Sequence, residues 1–142
     1  MYYEDAPLTR LESPPLLKGV EVGPTFVQVL KELNYVLDRF GYAGKADAPV
    51  FFGSRLDFAY SAFGIAPPKG IAFDMWIYYN PVRNERGTND YIQRFKDAKF
   101  PLCVFFRRDY VYFSEDMVRY LYENYDVYDY GNLTLHVRKQ GV

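Results

Sequence analysis

Residues Pro49 to Gly64, PVFFGSRLDFAYSAFG, constrain this chain more than any other stretch. Val50-Phe51-Phe52 is short and continuously apolar, the pattern of a strand covered on both faces. Gly53 supplies a turn. Ser54 and Asp57 sit at the spacing of a reciprocal helix cap, so a helix is expected to open on Ser54 and Arg55, with Leu56, Phe58, Ala59, Ala62 and Phe63 on its apolar side. Gly64 is placed to stop it. A strand that turns directly into a helix is an α/β device, and it sets a hydroxyl and a cation where such folds bind ligands.

The same alternation runs along the chain. Residues 1–23 are proline-rich without a sustained period and read as an irregular arm or linker; residues 24–142 read as one domain. Pro24-Thr25 opens an amphipathic helix in which Phe26, Val29, Leu30, Leu33, Val36, Leu37 and Phe40 recur at helical spacing. Thr25 and Gln28 have capping-box spacing, and Gly41 is a stop signal. After the first strand and its helix comes a loop, Ile65 to Gly70. Ile71 to Tyr79 reads as a second strand, Asn80 to Asn89 as a polar loop, Asp90 to Ala98 as a short helix and Pro101 to Phe106 as a third strand. Ser114 is placed to cap a helix running to Asn124, with Glu115 and Asp116 favourable against its dipole. A hairpin follows, Asp126 to Tyr130 and Leu133 to Arg138, turned by Gly131-Asn132.

The resulting order predicts an α/β fold of three layers, a mainly parallel, Rossmann-like sheet with helices on both faces. The C-terminal hairpin is expected to add one antiparallel edge strand.

Composition narrows the function classes. Seventeen Lys and Arg stand against 18 acids, a formal charge of −1 that gives no electrostatic basis for binding nucleic acid. No apolar run reaches the roughly 18 residues needed to cross a bilayer. The single cysteine, Cys103, lies inside PLCVFF and reads as an inert buried thiol; an internal disulfide is impossible. The single histidine, His136 in LTLHV, reads as a strand-surface residue, although it could pair with a Ser or Asp. No metal site and no cofactor is expected: Gly53 stands outside any dinucleotide or phosphate-loop motif, and no nucleophile elbow exists. Aromatics make up 20% of the chain, with fifteen Tyr. That excess suits either a ring-built core or an interface for sugars or partners.

In an open parallel sheet, ligands bind beyond the carboxyl ends of the strands. Three turns are expected there: Ser54 and Arg55 after the first strand, the loop carrying Arg83 and Arg86 after the second, and Arg107 and Arg108, followed by Asp109, after the third. Together they would suit a phosphate or a sugar diphosphate. Trp76, with Tyr78 and Tyr79, could stack on a sugar ring. Each residue also has an ordinary reading: Ser54 as a cap, the arginines as solvated loop charges, Trp76 as strand packing. Asp57 and Asp74 read as structural, and Asn132-Leu133-Thr134 matches a glycosylation sequon at the hairpin turn.

Two stretches carry a family likeness. VFFGSRLDFAYSAFGIAPPKG, Val50 to Gly70, resembles a segment in the C-terminal region of polytopic membrane glycosyltransferases of the C type, the group that includes dolichyl-phosphate-mannose protein mannosyltransferase-like proteins. FPLCVFFRRDYVYFSEDMVRYLYENYDVYDYGNLTLHVRK, Phe100 to Lys139, is similar to the end of many such chains, where a strand leads to a helix ending in Y-L-x-x-N-Y and a closing hairpin. The resemblance implies a soluble, extracytoplasmic accessory domain whose partner is the transmembrane part of the same parent chain, joined through residues 1–23. It also implies contact with a polyprenyl-phosphate sugar or a glycan acceptor. In that family the catalytic carboxylate lies in an early loop between membrane helices, so no catalytic residue carries over and the domain would be non-catalytic. The alternative is a free-standing small α/β protein or enzyme that binds a nucleotide or sugar phosphate at the same rim.

Overall fold

The computed structural model describes residues 8–11, 19, 21–53, 55–68, 85–111 and 113–141, without the side chains of 9, 21 and 85–91. The elements are β1 (Thr9–Arg10), β2 (Glu21–Val22), α1 (Pro24–Arg39), β3 (Val50–Phe52), α2 (Phe58–Ala62), α3 (Glu85–Ala98), β4 (Leu102–Phe106), α4 (Glu115–Asn124), β5 (Tyr125–Tyr130) and β6 (Leu133–Arg138). The expected strand Ile71 to Tyr79, with Trp76 on it, lies outside the described residues.

Helix α1 starts two residues earlier than a Thr25 cap would place it. Gly23 is the N-cap and Pro24 takes the first turn, where a missing N–H costs nothing. Gln28, expected to close a capping box, instead donates from Nε2 to Glu32 at 3.1 Å. The C-terminus is a Schellman motif. Tyr42 N–H donates to Leu37 and Gly41 N–H to Asp38, with Gly41 at φ +75°. Gly64, at φ +67°, ends α2 in the same way, through Ile65 N–H to the Tyr60 carbonyl. Helix α2 is shorter than its sequence pattern: it spans Phe58–Ala62 with Asp57 as N-cap and no side-chain cap bond. Arg55 therefore precedes it rather than opening it, and Ser54 lies outside the described residues. Helix α3 begins at Glu85, so Arg86 belongs to a helix rather than to the expected loop. Ser114 caps α4 as expected, its Oγ accepting from Met117 N–H at 3.3 Å.

The described sheet is mixed, with strand order β3-β4-β6-β5. Only β3 and β4 are parallel, in register Val50↔Leu102 to Phe52↔Val104. Strand β6 is antiparallel to β4, with Phe106↔Leu133, and β5 is antiparallel to β6. The mainly parallel sheet is therefore not what these residues form. The hairpin contributes two strands, and the last strand of the chain is interior rather than peripheral. A hairpin packs in this way when its second strand is apolar enough to be covered: Leu133, Thr134, Leu135 and His136 are all buried. A separate pair, β1 with β2, is antiparallel, and Gly19 N–H donates to the Leu11 carbonyl beside it.

Strand residues alternate between two apolar clusters. Val50, Phe52, Leu102, Val104, Leu133 and Leu135 share one with Val29, Leu33, Val36 and Leu37 of α1 and Ala59 and Tyr60 of α2. Phe51, Cys103 and Phe105 share the other with Phe95 of α3, Phe113, and Met117 and Leu121 of α4. Burying a side chain of this size contributes about 1.5–3 kcal/mol, so these alternating strands account for much of the driving force. In the second cluster the rings meet edge to face: Phe51–Phe95 at 5.0 Å and 80°, Phe105–Phe113 at 5.2 Å and 89°. The phenylalanines thus build core, whereas Tyr35, Tyr128 and Tyr130 are exposed.

Candidate functional site

Because β3 and β4 are parallel, their carboxyl ends share one rim, and the β5–β6 turn reaches the same rim through the Phe106↔Leu133 pair. Gly53 leaves β3 there, its N–H donating to the Val104 carbonyl at 2.8 Å. A Cβ at Gly53 would lie 2.3 Å from Cδ2 of Phe105, so glycine is what lets the backbone pass this close to that ring. Arg55 follows. Its Nε pairs with Oδ2 of Asp109 at 2.8 Å, which ties the β3–α2 loop to the β4–α4 loop.

The β4 exit is strained. Arg107 and Arg108 are consecutive non-glycine residues with left-handed φ of 47° and 57°. Three backbone bonds hold them there: Arg107 N–H to the Asn132 carbonyl, Arg108 N–H to Thr134 Oγ1 and Asp109 N–H to the Phe106 carbonyl, all at 2.8–2.9 Å. The strain turns both guanidinium groups onto the hairpin. Arg107 lies over the Phe106 ring, 4.9 Å from its centroid, and donates from Nε to Asn132 Oδ1 at 3.1 Å. Arg108 grips Asp129 with a two-point fork, Nε to Oδ1 at 3.2 Å and Nη2 to Oδ2 at 2.8 Å, and donates from Nη1 to Tyr122 Oη at 3.0 Å. Hydrogen bonding to Asp129 raises the Arg108 pKa further, and the same bond holds the Asp129 carboxyl below its ordinary value. Thr134 Oγ1, fully buried, donates to Asp129 at 3.1 Å and completes the seat.

The turn is pinned from below by Glu32, a carboxylate only 5% exposed on α1. Its Oε1 accepts from Asn132 N–H at 2.9 Å and from Asn132 Nδ2 at 3.2 Å. Gly131 has φ +57°, as the first position of a type II′ turn needs, and a Cβ there would overlap Glu32 Oε2. The sequon asparagine is thus engaged on both sides of its amide, by Arg107 and by Glu32.

Behind the rim lies His136. It is not a strand-surface residue but 0% exposed, because β6 is interior and α4 covers it. Its Nε2 is 2.7 Å from Tyr110 Oη, which is 3.1 Å from Tyr122 Oη and so connects to Arg108. Nδ1 is buried without a hydrogen-bond partner. Burial, with a smaller contribution from Arg108, pulls the His136 pKa down to about 4, so the ring is neutral at pH 7. Burial likewise pushes the Tyr110 hydroxyl and the Cys103 thiol above their ordinary values. Cys103 is fully buried, as expected from PLCVFF, and its thiol form excludes nucleophilic use.

Of the residues singled out from sequence, Arg55, Arg107 and Arg108 come together on one rim, each already engaged with a protein partner. Arg86 lies in α3 with its side chain outside the described set; Ser54, Trp76 and Arg83 lie wholly outside it. Among the described residues, no group of three or more His, Cys, Asp or Glu could hold a metal ion, and no helix is long and apolar enough to cross a membrane. Glu32, Tyr110, Tyr122 and Asp129 were not singled out. Glu32 had a faint signal, a carboxylate beside the apolar positions of α1; the others depend on contacts across the fold. No protein-family model, curated protein or solved structure matches the chain.

Proposed function

We propose that this is a non-catalytic accessory domain of a membrane glycosyltransferase that uses a lipid-linked sugar, lying on the extracytoplasmic face, with the rim arginines receiving the phosphoryl group of the lipid carrier. The observation that carries the reading is the placement of Arg55, Arg107 and Arg108 directly after the carboxyl ends of the two parallel strands. Planar guanidinium forks suit phosphoryl oxygens. The Arg108–Asp129 pair is about half exposed on both sides, and exposed pairs contribute little net free energy, so a competing anion can replace the carboxylate. The likeness of Val50 to Gly70 and Phe100 to Lys139 to that family supplies the membrane context. The three-layer, Rossmann-like frame with helices on both faces belongs to the same proposal, and the alternation of strand residues between two clusters supports it.

The test is calorimetric titration of the domain with a short-chain polyprenyl phosphate and its glycosylated form. Replacing Arg107 and Arg108 together by Ala should weaken binding at least roughly tenfold. Unchanged heats in a variant that still melts cooperatively would refute the reading. A thermal-shift screen against nucleotides and sugar nucleotides tests the free-standing alternative, since a ligand at one hundred times its Kd adds about 2.7 kcal/mol.

A further inference from the structure

Among the described residues, β5 has β6 on one side and no strand on the other. The ladder fixes which of its backbone groups face outward. Arg138 N–H donates to the Pro101 carbonyl and Arg107 N–H to the Asn132 carbonyl, so Thr134, His136 and Arg138 turn their peptide groups toward β4. Leu133, Leu135 and Val137 therefore turn theirs toward β5, onto Tyr130, Tyr128 and Asp126. The N–H and C=O groups of Val127 and Asp129 are left pointing away from the sheet. This edge has none of the usual guards: β5 holds no proline and no lysine, and its register runs without a bulge from Tyr125 to Tyr130.

We infer that β5 is a self-association edge, through which two copies of this chain pair antiparallel about a two-fold axis at Tyr128. The inference is independent of the rim and of any ligand there.

Backbone parity and charge select that axis. An axis between two residues would set inward-facing peptide groups against outward-facing ones, so it must pass through a residue. At Asp126 or at Asp129 it would put two carboxylates directly opposite each other, which is destabilising. At Val127 it would draw Asn124 and Tyr125 into the ladder, where α4 runs straight into the strand and Tyr125 is buried. At Tyr128 it uses residues 126–130 alone, all of them at least partly exposed.

The Tyr128 axis also satisfies the chemistry of the edge. Val127 of one copy and Asp129 of the other exchange their outward N–H and C=O groups, twice over by symmetry. The two Tyr128 rings, each 54% exposed in the single chain, meet across the axis as a close, non-hydrogen-bonded pair. Asp126 falls opposite Tyr130 of the second copy, whose hydroxyl can donate to the carboxylate. Tyr130 is already held by Tyr35, stacked at 5.2 Å and 26°, so less side-chain freedom is lost on pairing. Asp129 brings no uncompensated charge, because Arg108 neutralises it within its own chain.

The experiment is sedimentation equilibrium of the full chain at neutral pH, over roughly 10 µM to 1 mM protein. The wild type should form a reversible dimer. Tyr128→Lys and Tyr128→Glu each set like charges against each other on the axis and should weaken it at least roughly tenfold. An equimolar mixture of these two variants should dimerise again, because Lys then faces Glu. Val127→Pro removes an outward N–H without touching the β6 ladder and should also weaken the dimer, with urea melts confirming that each variant folds. A wild type that stays monomeric throughout overturns the inference, as does a dimer indifferent to all three substitutions. So does a mixture no more associated than its components. Tighter dimerisation of Tyr128→Lys alone would place Lys opposite Asp126, moving the axis to Val127 and refuting the one inferred.

Discussion

Asn132 is one hundred residues from Glu32 in sequence, yet it donates both its backbone N–H and its side-chain amide to one oxygen of that carboxylate. On its other side, the same amide oxygen accepts from Arg107. A single neutral side chain therefore couples a buried anion on α1 to a surface cation at the end of β4, and the hairpin turn between them is held from both directions.

Removing Glu32 tests this coupling. Glu32→Ala leaves two half-buried donors of Asn132 without their acceptor, while the exposed Gln28 amide turns to water; an unpaired buried donor costs about 1–3 kcal/mol. The expected loss is about 2–4 kcal/mol by urea denaturation. Glu32→Gln, which keeps an acceptor oxygen, should lose less than half as much. Equal losses would show that the negative charge, not an acceptor oxygen as such, holds the turn.

Gly53 is required by the Phe105 ring rather than by its own backbone angle. Gly53→Ala should destabilise by about 1–3 kcal/mol through overpacking. In Phe105→Ala, which removes the ring atoms it would strike, the same substitution should cost less. A double-mutant cycle reads the difference, and strict additivity would show that the close approach relaxes at no cost.

Tyr60 satisfies a buried backbone donor of β3. Its Oη accepts from Phe52 N–H at 2.9 Å inside the core. Tyr60→Phe keeps the ring edge-on to Phe52 and leaves that N–H unpaired, so a loss of about 1–3 kcal/mol is expected in a chemical melt. Faster hydrogen exchange at the Phe52 amide should accompany it.

His136 makes stability depend on pH with a definite sign. Its folded pKa of about 4 lies below the unfolded value of 6.5, so the unfolded chain binds more protons between these limits. The contribution is intact above pH 6.5 and is lost as pH falls toward 4, reaching about 2 kcal/mol by pH 5. Urea melts at pH 7, 6 and 5 measure the slope; His136→Gln should flatten it. A slope equal in both proteins would assign the acid sensitivity to other groups.

Local chemistry wrote much of the fold into the sequence. The 3.6-residue recurrence of Val29, Leu33, Val36 and Leu37 specified α1, and Ser114 with its acidic neighbours specified the start of α4. Gly41 and Gly64 announced helix ends, and Gly131-Asn132 announced a hairpin, because each needs a backbone conformation few residues tolerate. Spacing also placed Arg55 and Arg107-Arg108 at strand ends, and the parallel β3–β4 pair puts those ends on one rim. What spacing could not supply was the neighbour of each strand. Periodicity reports which face of an element is apolar, not which element covers it. The insertion of β6 between β4 and β5 buried His136, turned Thr134 toward Asp129 and brought Asn132 onto Glu32. Those partnerships follow from long-range strand pairing, whose free energy is collective and resides in no local run of residues.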